Sequence, residues 1–203
     1  MDNKEEIEKK YDWLGYYSST KNQPPRHLLT KALDLFFKNK TGIALDLGAG
    51  AGRDTIYLLK QGWSVWAVDR EETAIKTILR ETPLNLQEKL TCYNTDFLDM
   101  ELDFRFDLCS AQLSLMFLPP SQIQSVIDKI YTKVKVNGVF VASFLGYQDD
   151  LVKNKNIPGS DLEKLRQYFS KFQVIELEEE IKNSQNSLSA HNQSHFLKII
   201  ARK

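Results

Sequence analysis

Cysteine is scarce in this chain, and long apolar runs are missing. The two cysteines, Cys92 and Cys109, sit in apolar, strand-like stretches without the paired spacing of a zinc site or redox motif. They are expected to be buried free thiols, and no metal site is expected. No apolar stretch reaches the roughly 18 residues of a membrane span, and the opening MDNKEEIEKK lacks the apolar centre of a signal peptide. The expectation is a soluble, cytoplasmic protein with no membrane partner. An excess of either charge is missing too: Lys plus Arg and Asp plus Glu both number 27, so no global basic field points to nucleic acid. No repeat or compositional break marks a second domain. At 203 residues and 42% hydrophobic composition, the chain suits one domain with a substantial core.

Glycine is sparse as well, and its distribution is informative. Three of the nine glycines, Gly48, Gly50 and Gly52, fall within IALDLGAGAGRD, residues 43–54. Ile43, Ala44, Leu45 and Leu47 form the short apolar run of a strand buried on both faces; the glycines end it, and Ile56 and Leu59 then recur at helical spacing until Gly62. The unit reads as strand, glycine loop, helix. Such a loop permits positive φ and lets a ligand approach where no Cβ stands, while free N–H groups at the helix start attract negative charge. A nicotinamide or flavin fingerprint wants G-x-G-x-x-G, but Arg53 occupies the third glycine position and the spacing is G-x-G-x-G. Asp46 places a carboxylate at the end of the strand, where a cationic ligand group would be met.

An acidic residue, x, G-x-G-x-G resembles the first motif of the class I S-adenosylmethionine (SAM) dependent methyltransferases, matched by Asp46, Gly48, Gly50 and Gly52. The resemblance implies SAM as cofactor, S-adenosylhomocysteine as product, and a site that includes Asp46, Gly48, Ala49, Gly50 and Arg53. Ser64–Val68 is expected to be a second strand ending at Asp69, about twenty residues past the loop, where an acid takes both ribose hydroxyls of NAD or SAM alike. Arg70 stands beside it, and a helix over 72–80 is stopped by Pro83. Leu90–Asn94 is a third strand. By the resemblance, Asp96 then accepts from the adenine amino group and Phe97 covers the ring. A fourth strand over 106–110 leads to Ala111, Gln112, Leu113 and Ser114, where the transferred methyl is expected; Ala111 and Gln112 join the cofactor site. Base methyltransferases carry an Asn or Asp, Pro, Pro, aromatic motif here, and A-Q-L-S replaces it, so nucleic acid is not the expected substrate.

The remaining pattern is a helix over 121–134, a turn at Asn137-Gly138, a fifth strand over 139–144 and a polar loop over 145–158, long enough to serve as a substrate lid. Ser160 to Glu163 reads as a capping box, followed by a helix, a strand over 172–177, a charged stretch over 178–193 and a final strand over 194–201. The expected fold is α/β: a Rossmann-like, seven-stranded, mostly parallel sheet with an antiparallel last strand and helices on both faces. Residues 1–40, from Ile7 and Tyr11 through the helix of Leu28, Leu29, Ala32, Leu33 and Phe36, form a helical arm ahead of a core over 41–203. RDTIYLLKQGWSVWAVDR and LSLMFLPP resemble the small single-domain branch that includes tellurite-resistance-type methyltransferases. In related folds such an arm covers the cofactor, which implies a lid built from Trp13, Tyr16 and Tyr17.

Transfer of a methyl group from a sulfonium is an in-line displacement that needs alignment and a dry pocket. A soft thiol, selenium or tellurium acceptor needs no base; a hydroxyl or amine does, and the candidates are Tyr17, His195 and His27, with His191 behind them. His195 matches a histidine common near the end of related sequences, but Gln193 and Ser194 replace the residues often found beside it. The reading is methyl transfer to a small-molecule acceptor. Two alternatives are a non-catalytic SAM-fold scaffold that binds a partner through its arm or the 145–158 loop, and a nicotinamide-dependent oxidoreductase.

Overall fold

The computed structural model describes residues 13–20, 23–155, 157–183 and 193–203. Its sheet is built outward from the apolar run before the glycines, β1 (Ile43–Leu47), whose residues from Ala44 onward are buried. β2 (Ser64–Asp69) and β3 (Leu90–Asn94) lie to one side of it, and β4 (Phe106–Gln112) and β5 (Val134–Leu145) to the other, all parallel. β7 (Gln193–Arg202) runs antiparallel between β5 and β6 (Gln173–Asn183), so the order is β3-β2-β1-β4-β5-β7-β6. The expected mixed sheet is thus present, with seven strands among the described residues.

Alternation along the strands divides the core between two faces. Ala44, Val65, Leu108, Val139 and Val141 pack with Leu28 and Leu29 of α2 (His27–Phe36) and with Leu58 and Leu59 of α3 (Arg53–Lys60). Beyond them, Ala67 meets Ile75 and Ile78 of α4 (Glu72–Glu81). Leu45, Leu47, Cys109, Phe140, Ala142 and Phe144 point the other way, toward α5 (Pro120–Lys133) and α7 (Leu162–Tyr168). Each fully buried Leu or Ile in these layers contributes about 1.5–3 kcal/mol. The other α-helices among the described residues are α1 (Trp13–Thr20) and α6 (Asp150–Lys155).

Several boundaries differ from the sequence pattern. β4 runs on through Gln112, which makes Ala111 and Gln112 strand residues opposite Ala142 and Ser143. Asn137 has φ 67°, yet it lies inside β5, because its N–H donates to Lys203 O at 2.8 Å and Gly138 O accepts from Lys203 N–H at 3.0 Å. The expected turn is therefore an irregularity in a paired strand. The loop over 145–158 contains α6 and is pinned by a bridge between Gly146 and Ser160. α7 is capped by Asp161, whose Oδ1 accepts Lys164 N–H at 2.7 Å, in place of the expected Ser160 box. β6 extends into the charged stretch as far as Asn183, with Lys198 Nζ of β7 at 2.8 Å from Glu180 and 3.3 Å from Glu178. Cys109 is fully buried, whereas Cys92 is half-buried.

Candidate functional site

The loop after β1 takes the conformation its glycines allow: Gly48, Gly50 and Gly52 all have positive φ. Two of the three also sit where a methyl group would collide. A Cβ on Gly48 would overlap Ser114 Cβ, which presses the loop against the exit of β4, and one on Gly52 would stand 2.9 Å from Ile78 Cγ1, while Gly50 has the Tyr17 ring at ordinary contact distance. Gly48 and Ala49 donate their N–H groups to Val68 O at 2.8 and 3.1 Å, which fastens the loop to the end of β2. Gly50 N–H goes to Asp69 Oδ2 at 2.8 Å, and Glu71 N–H to Asp69 Oδ1 at 3.0 Å. One acid therefore organises the loop and still has unused lone pairs on both oxygens.

A cavity of about 440 Å³ lies across these strand ends. Its wall brings together Asp46, Gly48, Ala49, Gly50, Arg53, Asp69, Arg70, Asp96, Phe97 and Gln112, with Tyr17 beside the glycines. Ala111 is not part of it: the residue is completely buried in the sheet beneath. Tyr17 is buried against Ala51 and Ala74, so α1 stands at the glycine loop. The side chains of Trp13 and Tyr16, together with Ile7, Tyr11 and His191, lie outside the described residues.

His195 is placed elsewhere. Its ring is buried in β7, with Nε2 2.7 Å from Glu179 Oε1 and Nδ1 accepting Gln148 N–H at 3.2 Å, and it is absent from the cavity wall. Its own N–H donates to Asp149 Oδ2 at 2.9 Å, and its ring lies where Gly146 has no side chain. These contacts fasten the start of the 146–160 segment to β6 and β7. His27 is exposed on α2, also away from the wall.

The floor is strongly acidic and dry. Asp46 is buried, and its Oδ2 accepts from Thr55 Oγ1 at 2.6 Å. Loss of water and the nearby Asp54 push its pKa up to about 7, against the pull of Thr55 and Arg26. Burial also raises Asp54, held back by Arg26, whose N–H lies 2.9 Å from Asp54 Oδ1, and by Arg53. Asp69 is raised by burial, and the Glu71 and Gly50 N–H groups and Arg70 oppose the rise. Across the cavity, Ser143 Oγ donates to Gln112 Oε1 at 3.0 Å, which fixes the amide. Gln112 Nε2 and Ser114 Oγ are then buried on the wall without a hydrogen-bond partner among the described residues. Between them Leu113 holds φ 56°, a strained value for a branched residue, secured by its N–H bonds to Ser143 O and Oγ, both 3.1 Å.

The arrangement suits a ligand with a diol at Asp69, a planar ring at Phe97, and a zwitterionic end between Asp46 and the orphan donors of Gln112 and Ser114. Sequence reasoning put Ser114 at the exit of β4 without counting it as a ligand group. It took 145–158 as a loop suited to a substrate lid without singling out Leu145, Leu151 or Ile157, and it missed Phe196; these wall residues come from separate elements and share no periodic signal.

The chain is 30% identical over 129 residues to a carboxy-S-adenosyl-L-methionine synthase of Campylobacter fetus subsp. fetus, a stretch covering 63% of this chain and 54% of that protein. It thus spans about half the length of the curated relatives it matches. The crystal structure of TehB from Haemophilus influenzae superposes with a TM-score of 0.73 at 19% identity, over 93% of this chain and 66% of that one. The N-methyltransferase NodS from Bradyrhizobium japonicum WM9, in complex with S-adenosyl-L-homocysteine, superposes with a TM-score of 0.65 at 15% identity, over 95% of this chain and 99% of that one. The model of the family described as tellurite resistance protein TehB matches residues 8–197, and the chain belongs to that family.

Proposed function

We propose that this protein is a SAM-dependent methyltransferase acting on a small-molecule acceptor. The observation that carries the reading is one cavity lined at once by the G-x-G-x-G loop after β1, Asp69 at β2, Asp96 and Phe97 after β3, and Gln112 and Ser114 at β4. Asp69 offers its remaining lone pairs to the ribose diol, and Phe97 faces the base. Asp46 supplies negative charge for the α-ammonium end, and Gln112 Nε2 and Ser114 Oγ donate to the carboxylate beside it. When bound, SAM supplies an electrophilic methyl group on a positively charged sulfur. The apolar remainder of the wall excludes water from that methyl. The SAM-derived product named in the relatives and the S-adenosylhomocysteine bound to NodS support the cofactor, while the differing chemistries in those names leave the acceptor to this chain's own wall.

Calorimetry tests the reading directly. SAM and S-adenosylhomocysteine are expected to bind and NAD is not. Asp69→Ala should weaken SAM by about tenfold or more, since one charge-assisted hydrogen bond contributes about 1.5–3 kcal/mol. SAM affinity unchanged in a variant that still melts cooperatively would sink the assignment. SAM binding without S-adenosylhomocysteine release on any acceptor would favour a scaffold.

A further inference from the structure

We propose that Ser143 is the positioning residue that makes this site select a ligand carrying a carboxylate, because it holds the Gln112 amide with its nitrogen end left for the cavity. The inference rests on the methyltransferase reading above, and it concerns what separates SAM from a nucleoside sulfonium that lacks the acid. Ser143 stands in β5 opposite Gln112 of β4; it is buried and does not itself line the cavity. Its Oγ accepts Leu113 N–H at 3.1 Å and donates to Gln112 Oε1 at 3.0 Å. A hydroxyl has one hydrogen to give. Turned over, the amide would set its nitrogen against an oxygen that already takes one N–H, and the hydroxyl hydrogen would lose the acceptor it now has. A residue outside the wall thus decides which end of the amide the wall offers.

That end is a donor without a partner. Gln112 and Ser114 are only 7% and 8% exposed, both line the cavity, and neither Gln112 Nε2 nor Ser114 Oγ has a hydrogen-bond partner among the described residues. The left-handed Leu113 stands between them, and its N–H is held by Ser143 O as well as by Oγ. A carboxylate has lone pairs enough for both donors at once, whereas a ligand without one leaves both dry and unpaired. With the amide reversed, its oxygen would meet the carboxylate instead, acceptor against acceptor. Arg26 and Arg53 also line the cavity, their Nε atoms 3.7 and 3.8 Å from Asp54, and are the rival readers of a carboxylate.

Calorimetry on the full chain tests this with two ligands, SAM and decarboxylated SAM, which keeps the nucleoside, the sulfonium and the ammonium and lacks only the carboxylate. Its greater positive charge suits the acidic floor, so a preference for SAM reports the groups that read the carboxylate. Wild-type protein is expected to prefer SAM by about a hundredfold, the product of two charge-assisted hydrogen bonds. Ser143→Ala keeps the bond from Leu113 N–H to the backbone oxygen; it should weaken SAM by about tenfold and leave decarboxylated SAM unchanged. Ser143→Cys, a weaker donor of similar size, serves the same purpose if the alanine variant does not fold. Gln112→Met, which fills the same space without an amide, should show the same selective loss, and Ser143→Ala added to it should cost nothing more. Equal weakening of both ligands by Ser143→Ala would make the residue merely structural and overturn the proposal. So would a loss that persists in the Gln112→Met background, or a preference for SAM that neither substitution touches, which would hand the carboxylate to Arg26 and Arg53. Wild-type protein that binds both ligands alike overturns it too, whereas absence of SAM binding removes the methyltransferase reading beneath it.

Discussion

At the scale of single residues, Asp46 holds the sharpest conflict, because a carboxylate that a cationic ligand would welcome is buried beside Asp54. Its folded-state pKa, pushed up from 3.8 to about 7, keeps the acid mostly protonated only below that pH. The sign follows from linkage: this group's contribution to stability is complete below its unfolded pKa and is lost as pH rises through about 7. Over the same interval the carboxylate that would attract the SAM ammonium appears. Melting temperature without ligand should therefore fall from about pH 4 to 7 while SAM affinity rises through about pH 7, and Asp46→Asn should reduce the first trend, to which Asp54 and Asp69 also contribute, and flatten the second. Thermal melts and calorimetry across that range decide it; wild-type affinity that does not change with pH would remove Asp46 from the ligand's surroundings.

At the scale of elements, two pieces from outside the parallel strands border the cavity. α1 places Tyr17 against Gly50 and Ala51, so deleting residues 1–20 should lower SAM affinity and abolish turnover while the sheet stays folded. An aromatic face near a desolvated cation contributes about 0.5–2 kcal/mol, and an arm acting as a lid would also exclude water. Normal turnover by the truncated protein would end the lid idea, and aggregation would show that the arm's aromatics serve packing. The segment 146–160 is the second piece, and His195 is its fastening. His195→Leu leaves Gln148 N–H without its partner, at a cost of about 1–3 kcal/mol, and should raise the acceptor KM several-fold with SAM affinity unchanged. A collapse of kcat at constant KM would instead make the ring a participant in the chemistry.

At the scale of the whole molecule, the parallel half was legible because β1, β2 and β4 are short, largely buried apolar runs and glycine ends the first of them. Asp46 and Asp69 could be placed from strand ends, Asp96 and Phe97 through the family resemblance, and all of them line the cavity. The later half was harder to read for physical reasons. Glu178, Glu179 and Glu180 looked like a solvated stretch, yet an edge strand tolerates such charges and Lys198 partners two of them. His195 looked like a candidate base because it matches a histidine near the end of related sequences, and its neighbours in space, Glu179 and Gln148, are too distant in sequence to show its structural role. The apolar wall draws Leu145, Leu151, Ile157 and Phe196 from four places, a coincidence that only tertiary structure creates.

The position of β7 between β5 and β6 also sets an order of events during synthesis. The five parallel strands are complete once Leu145 has been made, but β5 then presents Val139, Phe140 and Val141 on a backbone edge with no neighbour. β6 is made next and does not cover that edge, since β7 is the strand it pairs with. The nascent chain therefore passes through an interval in which an apolar edge stands open beside a free strand, the condition under which chains associate wrongly. β6 carries Glu176, Glu178, Glu179 and Glu180, charges of the kind that keep an unpaired strand hydrated and hinder its pairing with copies of itself.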